Sequence, residues 1–126
     1  MVRLLSLEEM QRRHTRGEDP FDLAIEKWVR IREYLREKTD PTRYREAFHC
    51  GSTKITFCLD YKDHCPLCPL EGICFDSQSL YYQIMRYLQV YSLAGSLLPR
   101  SPVLELIESY IRNLHSTREE WRKNCH

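Results

Sequence analysis

Four cysteines within seventeen residues constrain this chain more than any other feature: Cys58, Cys65, Cys68 and Cys74 are separated by six, two and five residues. The two-residue gap lets the Cys65 and Cys68 thiolates reach one ion from a single tight turn, and Pro66 and Pro69 restrict φ there. Cys58 and Cys74 then close a loop around the centre. Four thiolates suit a tetrahedral Zn²⁺ or a 4Fe-4S cluster, and both need deprotonated sulfur, so ligand type alone does not separate them. The bland alternative is four buried free thiols, since cysteine packs as a small apolar residue. That alternative needs the clustering with proline as a separate coincidence. The expectation is therefore one structural metal centre, with every metal position taken by sulfur and none open for activating water.

The rest of the composition sets the frame for such a loop. At 126 residues the chain is expected to form one domain, 1–126, built around the metal. Charged residues at 29% and hydrophobic residues at 42% describe a folded protein and not a disordered one. No apolar run approaches the roughly 18 to 20 residues that span a bilayer, and the start MVRLLSLEEMQRRH has no signal-like stretch. No membrane partner and a cytoplasmic location are the expectations. In that reducing compartment a cysteine cluster is read as metal ligation and not as disulfides.

The six, two and five spacing resembles the iron-sulfur loop of DNA glycosylases of the endonuclease III and MutY type, as does Cys-Pro-Leu at Cys68, Pro69 and Leu70. The resemblance covers residues 58–74 and carries over the four ligands and nothing else. The helix-hairpin-helix glycine motif and catalytic aspartate of those enzymes have no counterpart in this chain. In that family the cluster is structural and sits beside a loop contacting DNA phosphates. The inner part, Cys65 to Cys74, is similar to cluster motifs of WhiB-like iron-sulfur regulators and of RecB-like nucleases associated with CRISPR systems. Trp28 followed by Cys58, Tyr61, Cys65, Cys68, Pro69 and Leu70 looks like a group of short uncharacterised prokaryotic and viral proteins with a C-x-x-C-P centre. Ile55 stands where those usually carry a further cysteine. The resemblances favour a 4Fe-4S cluster as cofactor, with Zn²⁺ the alternative.

The remaining sequence reads as all-α, with about five helices around the central loop. Ser6 and Glu9 have capping-box spacing and predict a helix from Leu7 to Arg16 that ends at Gly17. Asp19 and Pro20 start a second helix, with Phe21, Ala24, Ile25, Trp28, Ile31 and Leu35 on one face. Asp40 and Pro41 repeat that signal for a short third helix carrying Tyr44, Ala47 and Phe48, closed by Gly51 as a left-handed cap. Thr53 to Cys58 is β-branched and aromatic enough for a short extended piece. Asp76 or Ser77 caps a fourth helix to Ala94, ended by Gly95, with Tyr81, Ile84, Met85, Leu88 and Tyr91 inward. Ser101 and Pro102 open a fifth with Val103, Leu106, Ile107, Tyr110, Ile111 and Leu114 on its apolar face, and a last stretch from Thr117 to Lys123 carries Trp121.

Outside the loop the candidate groups are weaker. Cys50 reads as a buried thiol before it reads as a ligand, and Cys125 and His126 as a frayed end. His49 and His64 flank cysteines, but four thiolates already complete a tetrahedral site. Arg12, Arg13, Arg16 and Arg45 are candidate nucleic-acid contacts, because 12 basic against 10 acidic residues precede Ile55 and 7 against 8 follow Lys54. Interspersed acids also allow a salt-bridged solvated face there. Tyr82 and Tyr87 offer rings to unstacked bases, whereas Tyr81 and Tyr91 belong to the core. No glycine-rich phosphate loop, His-Glu-x-x-His or nucleophile elbow is present, so a non-enzymatic role is expected. Three roles follow: a DNA- or RNA-associated accessory or regulatory protein, an adaptor for a protein partner, or a redox carrier or sensor. No small-molecule substrate is indicated.

Overall fold

The computed structural model describes residues 3–37, 40–52, 80–94, 99 and 101–124, with side chains through residue 120 and excluding that of Ala94. They form five helices: α1 (Leu7–Thr15), α2 (Pro20–Glu37), α3 (Pro41–Ser52), α4 (Leu80–Ala94) and α5 (Ser101–Asn124). No strand occurs among the described residues, so the all-α expectation holds there. The extended piece at Thr53 to Cys58, the caps at Asp76 or Ser77, and Gly95 lie outside the described residues.

The starts of the first three helices follow the side-chain chemistry. Ser6 Oγ accepts a 3.1 Å bond from Glu9 N–H at the start of α1. Asp19 Oδ1 accepts from Phe21 N–H at 2.8 Å, and Asp40 Oδ1 from Arg43 N–H at 2.9 Å, each just ahead of a first-turn proline. Beyond α1, Gly17 takes φ 97° and turns the chain toward α2, a conformation that costs glycine little.

Two expectations need correction. Gly51 is not a left-handed cap: it lies inside α3, where a Cβ would stand 3.0 Å from Met85 Sδ and 3.2 Å from the Trp28 ring. Its missing side chain serves close packing, a tertiary demand that local turn signals do not separate from capping. The stretch from Thr117 is not a separate element either, because α5 runs unbroken through it to Asn124. With no glycine or proline between Val103 and Asn124, nothing breaks the ladder.

Four of the helices close into a ring: α2 packs on α3, α3 on α4, α4 on α5 and α5 on α2, while α1 touches α2 over a short stretch. Side-chain pairs give the directions. Asp22 meets Arg118 and Arg32 meets Glu108, so α2 and α5 run antiparallel. Trp28 lies over Gly51 while Tyr34 reaches Glu46, so α2 and α3 do too. Tyr81 meets Gly51 and Tyr91 packs on Tyr44 with ring centroids 5.0 Å apart, which makes α3 and α4 antiparallel. This is an up-down-up-down four-helix bundle. Its interior holds Leu23, Trp28, Ile31, Leu35, Tyr44, Ala47, Ile84, Leu88, Tyr91, Val103, Ile107, Tyr110 and Leu114. Burying a side chain of this size stabilises by roughly 1.5–3 kcal/mol each, well above what capping contributes.

Candidate metal centre

Cys58, Cys65, Cys68 and Cys74, with His64, lie outside the described residues. The fold instead defines what brackets them. The segment 53–79 leaves from Ser52 at the end of α3 and returns at Leu80 at the start of α4. These two helix ends are neighbours, because Tyr81 Oη donates a 3.2 Å hydrogen bond to the Gly51 carbonyl. Tyr81 also meets Trp28 edge-on, with centroids 6.2 Å apart, and Trp28 packs against Tyr110 of α5 at 5.1 Å. Trp28 therefore touches α3, α4 and α5 at the level where the cysteine segment departs and returns. It lies near the middle of α2, so the amino-terminal half of α2 and the carboxyl-terminal half of α5 extend past the ends of α3 and α4.

That same end of the bundle carries two groups that interact electrostatically. Cys50 is a buried thiol whose Sγ lies 3.5 Å from the Leu5 carbonyl. Burial pushes its pKa up, and the positive charge of Lys27 partly opposes the shift. Lys27 is itself 1% exposed, the one buried charged residue among the described residues, with its Nζ 6.0 Å from the Trp28 ring centroid. Sequence reasoning missed Lys27. Its only signal is register: position 27 falls with 24 and 31 on the inward stripe, where a lysine is read as polar and placed outside. His49, next to Cys50 in α3 but about 100° around the helix from it, is exposed, with its ring against Phe48. Among the described residues no three His, Cys, Asp or Glu side chains gather closely enough to hold a metal ion.

The four candidate arginines separate into two kinds. Arg13 is held by two carboxylates, donating to Glu18 at 2.7 and 2.8 Å and to Glu26 at 2.6 and 2.9 Å. These bonds raise the Arg13 pKa and lower both carboxyl pKa values, the hydrogen bond being the largest cause in each case. Arg13 thereby straps α1 to α2. Arg12, Arg16 and Arg45 are exposed and form no ion pair among the described residues. Arg12 in α1 and Arg16, the residue that caps its carboxyl end, stand about one turn apart and line a shallow, open hollow of about 530 Å³ with Glu8, Gln11 and Thr15. Because α1 is joined to Glu26 of α2, and Leu5 just ahead of it to Cys50 of α3, this helix sits at the end of the bundle where the cysteine segment departs.

Comparison of the chain with known protein families, curated proteins and solved structures finds no match in any of the three. No helix among the described residues is long and apolar enough to cross a membrane.

Proposed function

We infer that this chain is a small, non-catalytic metal-centre protein in which Cys58, Cys65, Cys68 and Cys74 hold a 4Fe-4S cluster, with Zn²⁺ as the alternative. Its role is that of an accessory or regulatory protein on DNA or RNA. The observation that carries the reading is the place of α1: exposed Arg12 and the capping Arg16 stand at the bundle end where α3 finishes and α4 begins, the two ends that the cysteine segment joins. A metal-bound loop near two exposed arginines at the carboxyl-terminal end of α1 would form a surface suited to a phosphate backbone. In this reading Arg12, Arg16 and Arg45 contact phosphates, while Arg13 holds the helix that presents them. The contact hydrogen bond between Tyr81 and Gly51 supports the metal half of the reading, since a loop whose ends already meet loses less entropy when four of its residues converge on one centre.

Anaerobic purification followed by elemental analysis and an absorbance spectrum tests the centre. Four irons with sulfide and broad absorbance near about 400 nm, the region of thiolate-to-iron charge transfer, identify the cluster. One tightly held zinc in a colourless protein identifies the alternative. Cys65→Ser or Cys68→Ser is expected to give a poorly folded product, because binding at a site absent from the unfolded chain appears as folding free energy, on the order of 10 kcal/mol for structural zinc. Normal thermal stability in those variants would sink the structural-centre reading. On duplex DNA, changing Arg12 and Arg16 to Ala is expected to flatten the slope of log affinity against log salt by about 1.8, at about 0.9 per phosphate contact. If the metal-loaded protein binds neither duplex nor single-stranded nucleic acid at low salt, the adaptor role replaces the nucleic-acid role.

A further inference from the structure

Outside its buried stripe, α4 differs from every other helix in the bundle. α1, α2, α3 and α5 each carry several charged side chains, and some of these meet across helices, as Arg13 does Glu26, Arg32 does Glu108 and Arg118 does Asp22. Over the fifteen residues of α4 the only charged side chain is Arg86, and no acid stands on the helix to meet it. Its outer surface is instead apolar: Tyr82, Tyr87, Val90 and Leu93 are 41%, 40%, 53% and 84% exposed. At helical spacing Tyr82, Arg86, Gln89, Val90 and Leu93 fall within one sector of less than a third of the circumference. Aromatic and aliphatic side chains around an arginine, with Lys, Glu and Asp absent, form the composition enriched at interface cores.

We propose that this face of α4 pairs with the same face of a second copy of this chain. The sector is self-complementary in an antiparallel two-fold arrangement. Tyr82 and Leu93 lie equally far from a point between Tyr87 and Leu88, and Arg86 and Gln89 lie equally far from that same point. A two-fold axis there sets Tyr82 of each copy against Leu93 of the other, and Arg86 against the side-chain amide of Gln89, an acceptor and not a like charge. The charges on the rim agree. Glu105 of α5 is exposed beside α4, in a hollow lined also by Gln83, Tyr87 and Leu106. Neither Arg86 nor Glu105 has an ion-pair partner among the described residues. One copy thus brings to the surface a cation and an anion with no ion-pair partner among the described residues, and a second copy brings the complementary set. A helix face of roughly four turns is small beside the roughly 1,200–2,000 Å² of stable interfaces, so the pairing depends on concentration.

Sedimentation velocity on the full, metal-loaded chain tests this, in oxygen-free buffer with a reductant so that no disulfide joins two copies. Between about 1 μM and about 1 mM the wild type is expected to pass from monomer to dimer. Leu93→Lys and Val90→Lys are each expected to raise the dissociation constant at least about tenfold, because a two-fold interface meets each substitution twice. Leu93 is almost fully exposed, so the folding of Leu93→Lys should match the wild type by circular dichroism. Arg86→Glu should weaken the dimer, and adding Glu105→Arg should restore it. A wild type that stays monomeric across this range, or a dimer indifferent to both Leu93→Lys and Arg86→Glu, overturns the proposal.

Discussion

The phenol of Tyr81 donates a 3.2 Å hydrogen bond to the main-chain carbonyl of Gly51, and so ties the first turn of α4 to the last turn of α3, the two helix ends that residues 53–79 connect in sequence. The Gly51 carbonyl belongs to the last turn of a helix, whose C=O groups have no partner within the helix itself. Tyr81→Phe removes the donor and keeps the ring on Trp28. It is expected to cost about 1 kcal/mol, the usual net worth of such a bond, and to lower the melting temperature by a few degrees. Thermal melts of the metal-loaded variant check this, and an unchanged melting temperature would show that the tie contributes nothing.

Gly51 offers a sharper test, because two effects of opposite sign act on it. Alanine gains about 1 kcal/mol over glycine inside a helix. The added methyl would stand 3.0 Å from Met85 Sδ and 3.2 Å from the Trp28 ring. Met85 can turn its flexible side chain aside, but Trp28 is held by Tyr81 and Tyr110 and cannot retreat without disturbing both. Overpacking a rigid core costs about 1–3 kcal/mol, so Gly51→Ala is expected to destabilise by about 1 kcal/mol net. Denaturant unfolding measures it. A stabilised Gly51→Ala variant would mean that the packing around Trp28 is looser than the geometry indicates.

The strap from Arg13 to Glu18 and Glu26 makes part of the stability depend on pH. Both carboxyl groups have folded pKa values below their ordinary 4.5. A group whose folded pKa is depressed contributes stability that is present above its unfolded pKa and is lost as pH falls through the folded value. The wild type is therefore expected to lose stability from about pH 4.5 downward as these carboxylates take up protons. Arg13→Ala should melt lower than the wild type at pH 7, and the gap between the two should narrow as the pH falls through that window. Parallel melting curves across the window would show that the strap carries no linkage. Because α1 is held mainly by this strap and by buried Leu5 and Met10, proteolysis within residues 7–15 should also quicken in the variant.

Much of the helical layout is determined by local chemistry and is legible in the sequence. Ser6, Asp19 and Asp40 supply oxygens for unpaired helix N–H groups whatever surrounds them, and Pro20 and Pro41 preset the first turn. Gly17 takes its left-handed φ because only glycine does so without strain. The inward stripes of α2, α4 and α5 repeat at helical intervals, so Trp28, Ile31, Leu88, Tyr91, Ile107 and Tyr110 could be placed in the core before any packing was known. The proposed metal role of Cys58, Cys65, Cys68 and Cys74 rests on their spacing in the sequence.

Tertiary structure decided what depends on neighbours distant in sequence. Gly51 looks like a terminator until Met85 and Trp28, more than twenty residues away on either side, leave no room for a Cβ. Arg13 looks like its neighbours Arg12 and Arg16 until the turn at Gly17 brings Glu18 and Glu26 onto its guanidinium. Lys27 looks solvated until the bundle closes over it. In each case residue type and spacing are compatible with two environments, and the choice is made by which helix faces arrive together when the apolar stripes are buried.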